Sequence, residues 1–307
     1  MVHRFGQHPA PRHTIAHVSD THFLGGGRPL HGAVETDRAL ARVLERLDAS
    51  GLFPEAIVIT GDLADLGEPD AYLRLRDLVD PAAERLGSRI VWVMGNHDER
   101  APFSEHLLGE EPTAEPLDRV HDVNGLRIIA LDTTVPGFHH GELSDAQLAW
   151  LRAELAEPAP DGTLVALHHP PIPTPVDLMA ILELQGQDRL AEALRGTDVR
   201  AILGGHLHYA THGTLAGIPV SVAAATCYTI DASAGGGELR GVDAGQSFTL
   251  VQVYDDTIVH SIVPLVDAPT ATGFPASVAE RFAAMSAEER RAAFSDKLST
   301  FDPREQA

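Results

Sequence analysis

Through position 203 the apolar residues of this chain arrive in two rhythms. Short, mainly apolar runs at 15–18, 56–60, 90–94, 127–131, 164–167 and 201–203 read as strands buried on both faces, the pattern of a parallel sheet. Between them apolar positions recur at helical spacing. Ala39, Leu40, Val43, Leu44 and Leu47 form one face of a helix over 35–47, which Ser50-Gly51 ends as a turn. A second helix opens at Pro69, where the missing N–H has no intrahelical partner to lose, and is expected to run to about Leu78. A third begins after Ser144, whose spacing to Gln147 is that of a capping box, and a fourth covers 188–194. Strand alternating with helix predicts layered α/β architecture.

Beyond 203 the pattern changes. Segments 213–222 and 248–263, the latter turning at Asp255-Asp256, read as hairpins and suggest a second, antiparallel sheet. Glycine and small residues over 232–245 predict a mobile loop. Residues 276–301 read as one alanine-rich helix with Val278, Phe282, Met285, Ala292 and Phe294 at its apolar positions. That face serves to pack on its own domain, to contact a second copy, or to lie on a membrane surface. The organisation expected is a flexible N-terminus over 1–12, one domain over 13–266 and a helical extension over 267–307.

Five of the early strands lead into polar blocks: Asp20-Thr21-His22, Gly61-Asp62, Gly95-Asn96-His97-Asp98, His168-His169 and Gly204-Gly205-His206-Leu207-His208. The carboxyl edge of an open α/β sheet is where ligands bind, and the glycines permit sharp turns and close approach there. Asp20, His22, Asp62, Asn96, His168, His206 and His208 offer oxygen and nitrogen donors and no thiolate, a set suited to two first-row transition metals.

Taken in order, the blocks D-x-H, G-D, G-N-H-D, a histidine before Pro170 and G-H-x-H resemble the calcineurin-like metallophosphoesterases. The Gly-Asp-Leu-Ala-Asp-Leu-Gly run from Gly61 to Gly67 and the Gly-Gly-His-Leu-His block are most similar to the class III cyclic-nucleotide phosphodiesterase and glycerophosphodiesterase branch. The resemblance spans Asp20 to His208. It implies a four-layer α/β/β/α sandwich of two mixed sheets flanked by helices. It also implies one metal on Asp20, His22 and His208, another on Asn96, His168 and His206, and Asp62 bridging them, with iron and manganese expected and zinc, cobalt or nickel as alternatives.

Two such metals about 3.5 to 4 Å apart clamp a phosphoryl group and supply hydroxide for in-line displacement near neutral pH. His97 cannot readily ligate the same metal as its neighbour Asn96. It is therefore read as the group that stabilises the phosphoryl oxygens and protonates the leaving oxygen, oriented by Asp98 or Asp65. Asn96, His97, His140 and His208 are the expected substrate contacts. Protein serine/threonine phosphatases resemble G-D-x-V-D-R-G at the second block, whereas Leu66 stands here in place of the arginine. This favours a small phosphodiester, with cyclic AMP or cyclic GMP as the named candidate. Glycerophosphodiester, phospholipid-headgroup or nucleotide-sugar hydrolysis are the alternatives, and a non-catalytic scaffold is opposed by the intact ligand set.

Composition narrows the partners. Over 307 residues, 23 basic and 44 acidic side chains give a formal charge of −21, which argues against nucleic acid held by counterion release. Bound metals then supply the positive charge an anionic substrate requires. Cys227, the only cysteine, excludes an intrachain disulfide and a thiolate cluster and reads as a small core residue. No run resembles a signal core or the roughly 20 apolar residues of a membrane span, so a soluble cytoplasmic protein, expected as a homodimer, is the reading. His17 is read as a core histidine, His169 as either loop packing or a substrate contact, and Glu110, Glu111 and Glu115 as solvated.

Overall fold

The computed structural model describes residues 4–266 and 268–302. In chain order the strands begin with β1 (His13–Val18), β2 (Ala56–Thr60), β3 (Arg89–Val93), β4 (Arg119–Val123), β5 (Leu126–Leu131), β6 (Thr163–Leu167) and β7 (Val199–Gly204). They continue with β8 (Thr211–Leu215), β9 (Ile218–Val222), β10 (Thr229–Ile230), β11 (Gly241–Val242), β12 (Ser247–Val253) and β13 (Ile258–Pro264). The helices used below are α1 (Thr36–Ser50), α2 (Pro69–Leu86), α3 (Asp145–Glu154), α4 (Gln187–Leu194), α5 (Ala276–Ala283) and α6 (Ala287–Arg290).

Two mixed sheets, ordered β13-β12-β1-β2-β3 and β4-β5-β6-β7-β9-β8, stack face to face. Side chains alternate across each strand, and the alternation separates three apolar layers. Ile57 and Ile59 of β2 pack outward on Leu40, Val43 and Leu47 of α1 and on Leu75 and Val79 of α2. Val58, between them, points inward and shares the central layer with Ile15, Val91, Ile128, Leu164 and Leu203. On the far side Ile129, Val165 and Ile202 meet Leu148 and Leu151 of α3 and Leu190 and Leu194 of α4. Each fully buried aliphatic side chain of this kind contributes about 1.5–3 kcal/mol. The expected four-layer sandwich is the observed one.

Several details differ from expectation. The two hairpins do not form a sheet of their own: β8-β9 extends one sheet beside β7, and β12-β13 extends the other beside β1. Hairpin periodicity fixes the local pairing but not the edge on which it docks. Helix α2 continues through Pro81 to Leu86 because Pro81 lies on the solvent face, where the carbonyl it leaves unpaired can meet water, while Ala82, Ala83 and Leu86 extend the buried stripe. Strand β4 pairs antiparallel with β5 although its apolar pattern is weak. Within 232–245, Gly241-Val242 pairs with Thr229-Ile230, so part of that stretch is ordered strand. The helix expected over 276–301 is interrupted: α5 ends near Ala284, and Ser286 starts α6 with its own capping box to Glu289.

Residues Pro11–Val266 form one compact unit. A second unit is drawn from the chain ends, Met1–Ala10 with Asp267–Ala307. There Phe5, in the stretch expected to be flexible, lies 6.5 Å from the ring of Phe282, which also meets Phe294 at 5.1 Å. Residues 1–3 of that stretch and the tail 303–307 lie outside the described residues. Among the described residues no helix is long and apolar enough to cross a membrane.

Candidate metal centre

The five polar blocks meet where the carboxyl ends of β1, β2 and β3 face those of β6 and β7. Asp20 and His22 leave β1, Asp62 leaves β2, Asn96 leaves β3, His168 leaves β6, and His206 and His208 leave β7. Five of these seven residues hold positive φ: Asp20 at 52°, His22 at 47°, Asp62 at 50°, His206 at 69° and His208 at 57°. Non-glycine residues rarely occupy the left-handed region, and such strain gathers where a side chain must be aimed for function. Each strand stops abruptly and turns its donor into one space.

Glycine makes that space possible at two points. A Cβ on Gly95 would sit 2.1 Å from the Asp62 nitrogen, and one on Gly205 would sit 2.0 Å from Ser19 Oγ and 2.8 Å from Asp20 Oδ2. Any side chain there would drive apart the two loops that carry the donors.

The donors converge. Asp20, His22, Asp62 and His208 each place a ligand atom within 4.8 Å of the others. His22 Nε2 lies 3.2 Å from His208 Nε2 and 3.4 Å from Asp62 Oδ2. His168 Nε2 lies 3.3 Å from Asp62 Oδ2 and 3.1 Å from Asn96 Oδ1. The Asp62 carboxylate thus stands between the His22–His208 group and the His168–Asn96 group. His206 Nε2 is buried with no hydrogen-bond partner, a costly state unless another species occupies the space it faces.

The outer nitrogens explain why the inner ones point inward. His22 Nδ1 donates to Asp65 Oδ1 at 2.9 Å, His168 Nδ1 to the Thr60 carbonyl at 2.8 Å and His208 Nδ1 to the Tyr228 carbonyl at 3.0 Å. His206 hydrogen-bonds the main chain of Leu182. A proton fixed on Nδ1 leaves the Nε2 lone pair free, which is how metal-binding imidazoles are oriented and made more basic. A lone-pair set of buried nitrogens and oxygens turned on one another fits cations and repels itself without them.

The protonation balance follows the same geometry. Burial raises the Asp62 carboxyl, but the charge and hydrogen bond of His168, with His97 and His22, outweigh it and hold the group well below the usual carboxylate range. Burial lowers His168, and the charges of Asp62 and Asp20 reverse this and carry it up to about 9. Burial, then the charge of His168, takes His206 down to about 3. Burial, then the charge of His22, takes His208 well below the usual range. Burial lowers His22 as well, but its hydrogen bond to Asp65 and the charges of Asp62 and Asp20 outweigh this and raise it. His206 and His208 are therefore the neutral pair, ready to ligate, and the two imidazoles with raised pKa, His22 and His168, are the two that flank the central Asp62 carboxylate.

His97 is partly exposed in the same cavity, and its N–H is bound by Asp62 Oδ1 at 2.9 Å. Its Nδ1 donates to the main-chain carbonyl of Asp65 at 2.9 Å, while the Asp65 carboxylate lies 3.6 Å away and is bonded to His22. Neither expected carboxylate is thus its main partner. Asp98 is committed elsewhere, accepting from the amides of Leu63, Ala64 and Gly95 and from the Tyr72 hydroxyl, and so fixes the turn that presents Asp62.

The His140 ring lies 5.4 Å from that of Phe138, whereas its neighbour His139 lines the cavity, accepting from Asn96 Nδ2 at 2.9 Å with its ring 5.0 Å from His97. His169 holds that loop: Nδ1 is 2.7 Å from Thr133 Oγ1 and Nε2 donates to the His139 carbonyl at 3.2 Å. Of its two readings, loop packing is the observed one. His17 and Cys227 are both buried as expected.

Residues 13–210 match the family described as calcineurin-like phosphoesterase. The chain is 57% identical over 271 residues to the cAMP/cGMP dual specificity phosphodiesterase of Mycobacterium tuberculosis (strain CDC 1551 / Oshkosh), covering 88% of this chain and 85% of that one. It is 51% identical over 294 residues to a Rhodococcus erythropolis (strain PR4 / NBRC 100887) protein named "Probable cyclic nucleotide phosphodiesterase", covering 96% and 97%. A crystal structure of a dimetal phosphatase from Danio rerio shares the fold with a TM-score of 0.60 at 16% identity, over 83% of this chain and 97% of that one. Family match, fold and convergent donor set agree, and the chain belongs to the calcineurin-like phosphoesterases.

Proposed function

We propose that the chain is a dinuclear-metal phosphodiesterase acting on 3',5'-cyclic nucleotides, cyclic AMP and cyclic GMP. The observation that carries the reading is the intact, inward-facing donor set in a chain 57% identical to a cAMP/cGMP phosphodiesterase over 88% of its length. Calcineurin-like phosphoesterases use a dinuclear metal site, and the clusters here fit one. In this reading Asp20, His22 and His208 would hold one metal and Asn96, His168 and His206 the other, with Asp62 available to both, and iron and manganese are the proposed pair. When bound, the metals supply Lewis acidity to the phosphoryl oxygens and lower the pKa of bound water.

The rest of the reaction falls to side chains. His97, held by the Asp65 carbonyl, faces the phosphoryl group and delivers a proton to the leaving ribose oxygen. Asn96, fixed between His168 and His139, positions a phosphoryl oxygen. Asp65 keeps His22 in its ligating tautomer. Among the described residues neither a lysine nor an arginine lines this cavity, which supports a singly charged diester over a dianionic monoester. A cytoplasmic setting, in keeping with a buried unpaired Cys227, and a homodimer belong to the same proposal, and light scattering tests the second.

Steady-state kinetics with manganese or iron restored test the substrate. Cyclic nucleotide turnover should exceed that of a glycerophosphodiester and of a phosphomonoester. Preference for the glycerophosphodiester would move the chain to that specificity, and activity confined to the monoester would reject diester hydrolysis.

A further inference from the structure

Beside the metal pocket, a cavity of about 240 Å³, lies an outer bay of about 430 Å³. The two share four lining residues, His31, Tyr228, Ile230 and Leu239. Aromatic rings mark a path outward. The Tyr228 ring lies 4.6 Å from that of the ligand candidate His208 and 5.4 Å from that of His31.

Both outer rings are held by devices that packing alone does not require. His31 is the exposed tip of a tight turn, at φ 52°, whose base is closed by reciprocal main-chain bonds between Leu30 and Val34 at 2.9 Å. Leu30 and Val34 belong to a small apolar cluster with Leu24, Ala225 and Cys227, against which Tyr228 packs. The Tyr228 ring also packs against strand β11: a Cβ on Gly241 would meet its Cδ2 and Cε2 at 3.0 Å. The loop beyond carries Leu239 to the mouth, 45% exposed. An imidazole in a strained backbone conformation and a half-buried phenol are thus both presented to one solvent-accessible bay.

The chemistry of this bay selects its occupant. Among the described residues no lysine or arginine lines either cavity, whereas the carboxylates Asp65 and Asp243 do. A second phosphate or other anionic substituent meets repulsion there. A flat, neutral heterocycle meets aromatic faces on which to stack, aliphatic walls in Ile230 and Leu239, and in Asp243 a carboxylate that can accept from its N–H groups. We propose that His31 and Tyr228, walled by the β10-β11 hairpin, form the subsite that receives the nucleobase of the phosphodiester. The proposal rests on the phosphodiesterase reading and adds to it the residues that recognise the part of the substrate far from the bond broken.

The test compares kcat/KM for a 3',5'-cyclic nucleotide with that for the base-free cyclic ribose 3',5'-phosphate, in metal-restored enzyme. Tyr228→Leu should lower the ratio of the two about ten-fold, the scale of one base–aromatic stack, with the loss in KM, and Tyr228→Phe should retain it. His31→Ala, at an exposed turn, should lower the ratio several-fold and carries the test where Tyr228→Leu does not fold. A parallel fall for both substrates, or a ratio that does not move in either variant, would overturn the subsite alone. Wild-type enzyme that hydrolyses the base-free diester but no cyclic nucleotide would instead overturn the substrate reading, and the nucleobase with it.

Discussion

The inner pocket and the outer bay share a wall at Tyr228 and are built on opposite terms. In the pocket, donors are buried and every ligand-candidate imidazole is tied through its outer edge to a carboxylate or main-chain group. In the bay, His31 and Leu239 are exposed and, apart from Asp243, the surfaces are aromatic or aliphatic. Chemistry that must place charge within tenths of an ångström demands a fixed, polar, strained shell. Recognition of a flat substituent tolerates a softer surface, because a stack has no single hydrogen-bond geometry to satisfy. Substitutions should therefore divide sharply: those in the pocket remove metal or rate, and those in the bay shift preference among diesters.

The largest effect is expected at the centre of the pocket. Asp62 Oδ2 lies 3.4 Å from His22 Nε2 and 3.3 Å from His168 Nε2, so Asp62→Ala removes the group common to both clusters. Its cost should exceed the roughly 10- to 100-fold that supporting partners of a metal site carry, with bound metal, read by elemental analysis, falling well below the level in wild type. A variant that keeps its metal and full turnover would break the bridging assignment.

His97→Ala comes next, with about 10² to 10⁴ lost in kcat and the metal content kept. The loss should be greatest for substrates with poor leaving groups. Loss of metal in this variant would make His97 a ligand and erase the distinction between holding metals and moving a proton.

Asp65→Ala sharpens the boundary further, since the residue touches no proposed metal directly. It should weaken metal binding by about 10- to 100-fold through a misoriented His22, and Asp65→Asn, which can still accept from His22 Nδ1, should restore part of it. Equal losses in the two would make the charge of Asp65, not its hydrogen bond to His22, the operative feature.

What could be read in advance divides along the same boundary. Strand ends followed by Asp, His and Gly-Asn-His blocks announce the pocket because its donors are side chains with few alternative uses, set beside glycines that only close approach requires. The groups behind them carry no such mark. Thr60, Leu182 and Tyr228 act through main-chain carbonyls, which any residue supplies, and the same holds for the Asp65 carbonyl on His97. His139 and His140 are adjacent in sequence, and only the turn that His169 pins decides which enters the cavity. The bay was hidden for another reason: His31 and Tyr228 are far apart along the chain, and nothing local predicts that Gly241 clears room for a ring. Likewise the hairpins β8-β9 and β12-β13 were legible as hairpins, while their assignment to different sheets depends on which edge strand leaves N–H and C=O groups unpaired.

The smallest expected effect tests whether strain in the pocket is supported from beneath. His17 lies on β1, fully buried, with Nε2 2.9 Å from Thr60 Oγ1 and Nδ1 without a partner among the described residues. Burial, then the charge of His260, lowers it to about 3. The folded protein therefore keeps His17 neutral at pH values where the unfolded chain, titrating near 6.5, takes up a proton. Stability from this residue is complete above about pH 6.5 and is lost as pH falls from there toward 3, because the unfolded state then binds more protons. One such group contributes a slope of at most about 1.4 kcal/mol per pH unit. In chelator-treated protein, where metal release does not add to the slope, His17→Gln should melt below wild type at pH 7, and the gap should narrow steadily toward pH 4. Two parallel melting profiles across that range would mean that His17 is protonated, or solvated, in the folded state. The base of β1 would then lend the Asp20 turn no support that depends on a neutral imidazole.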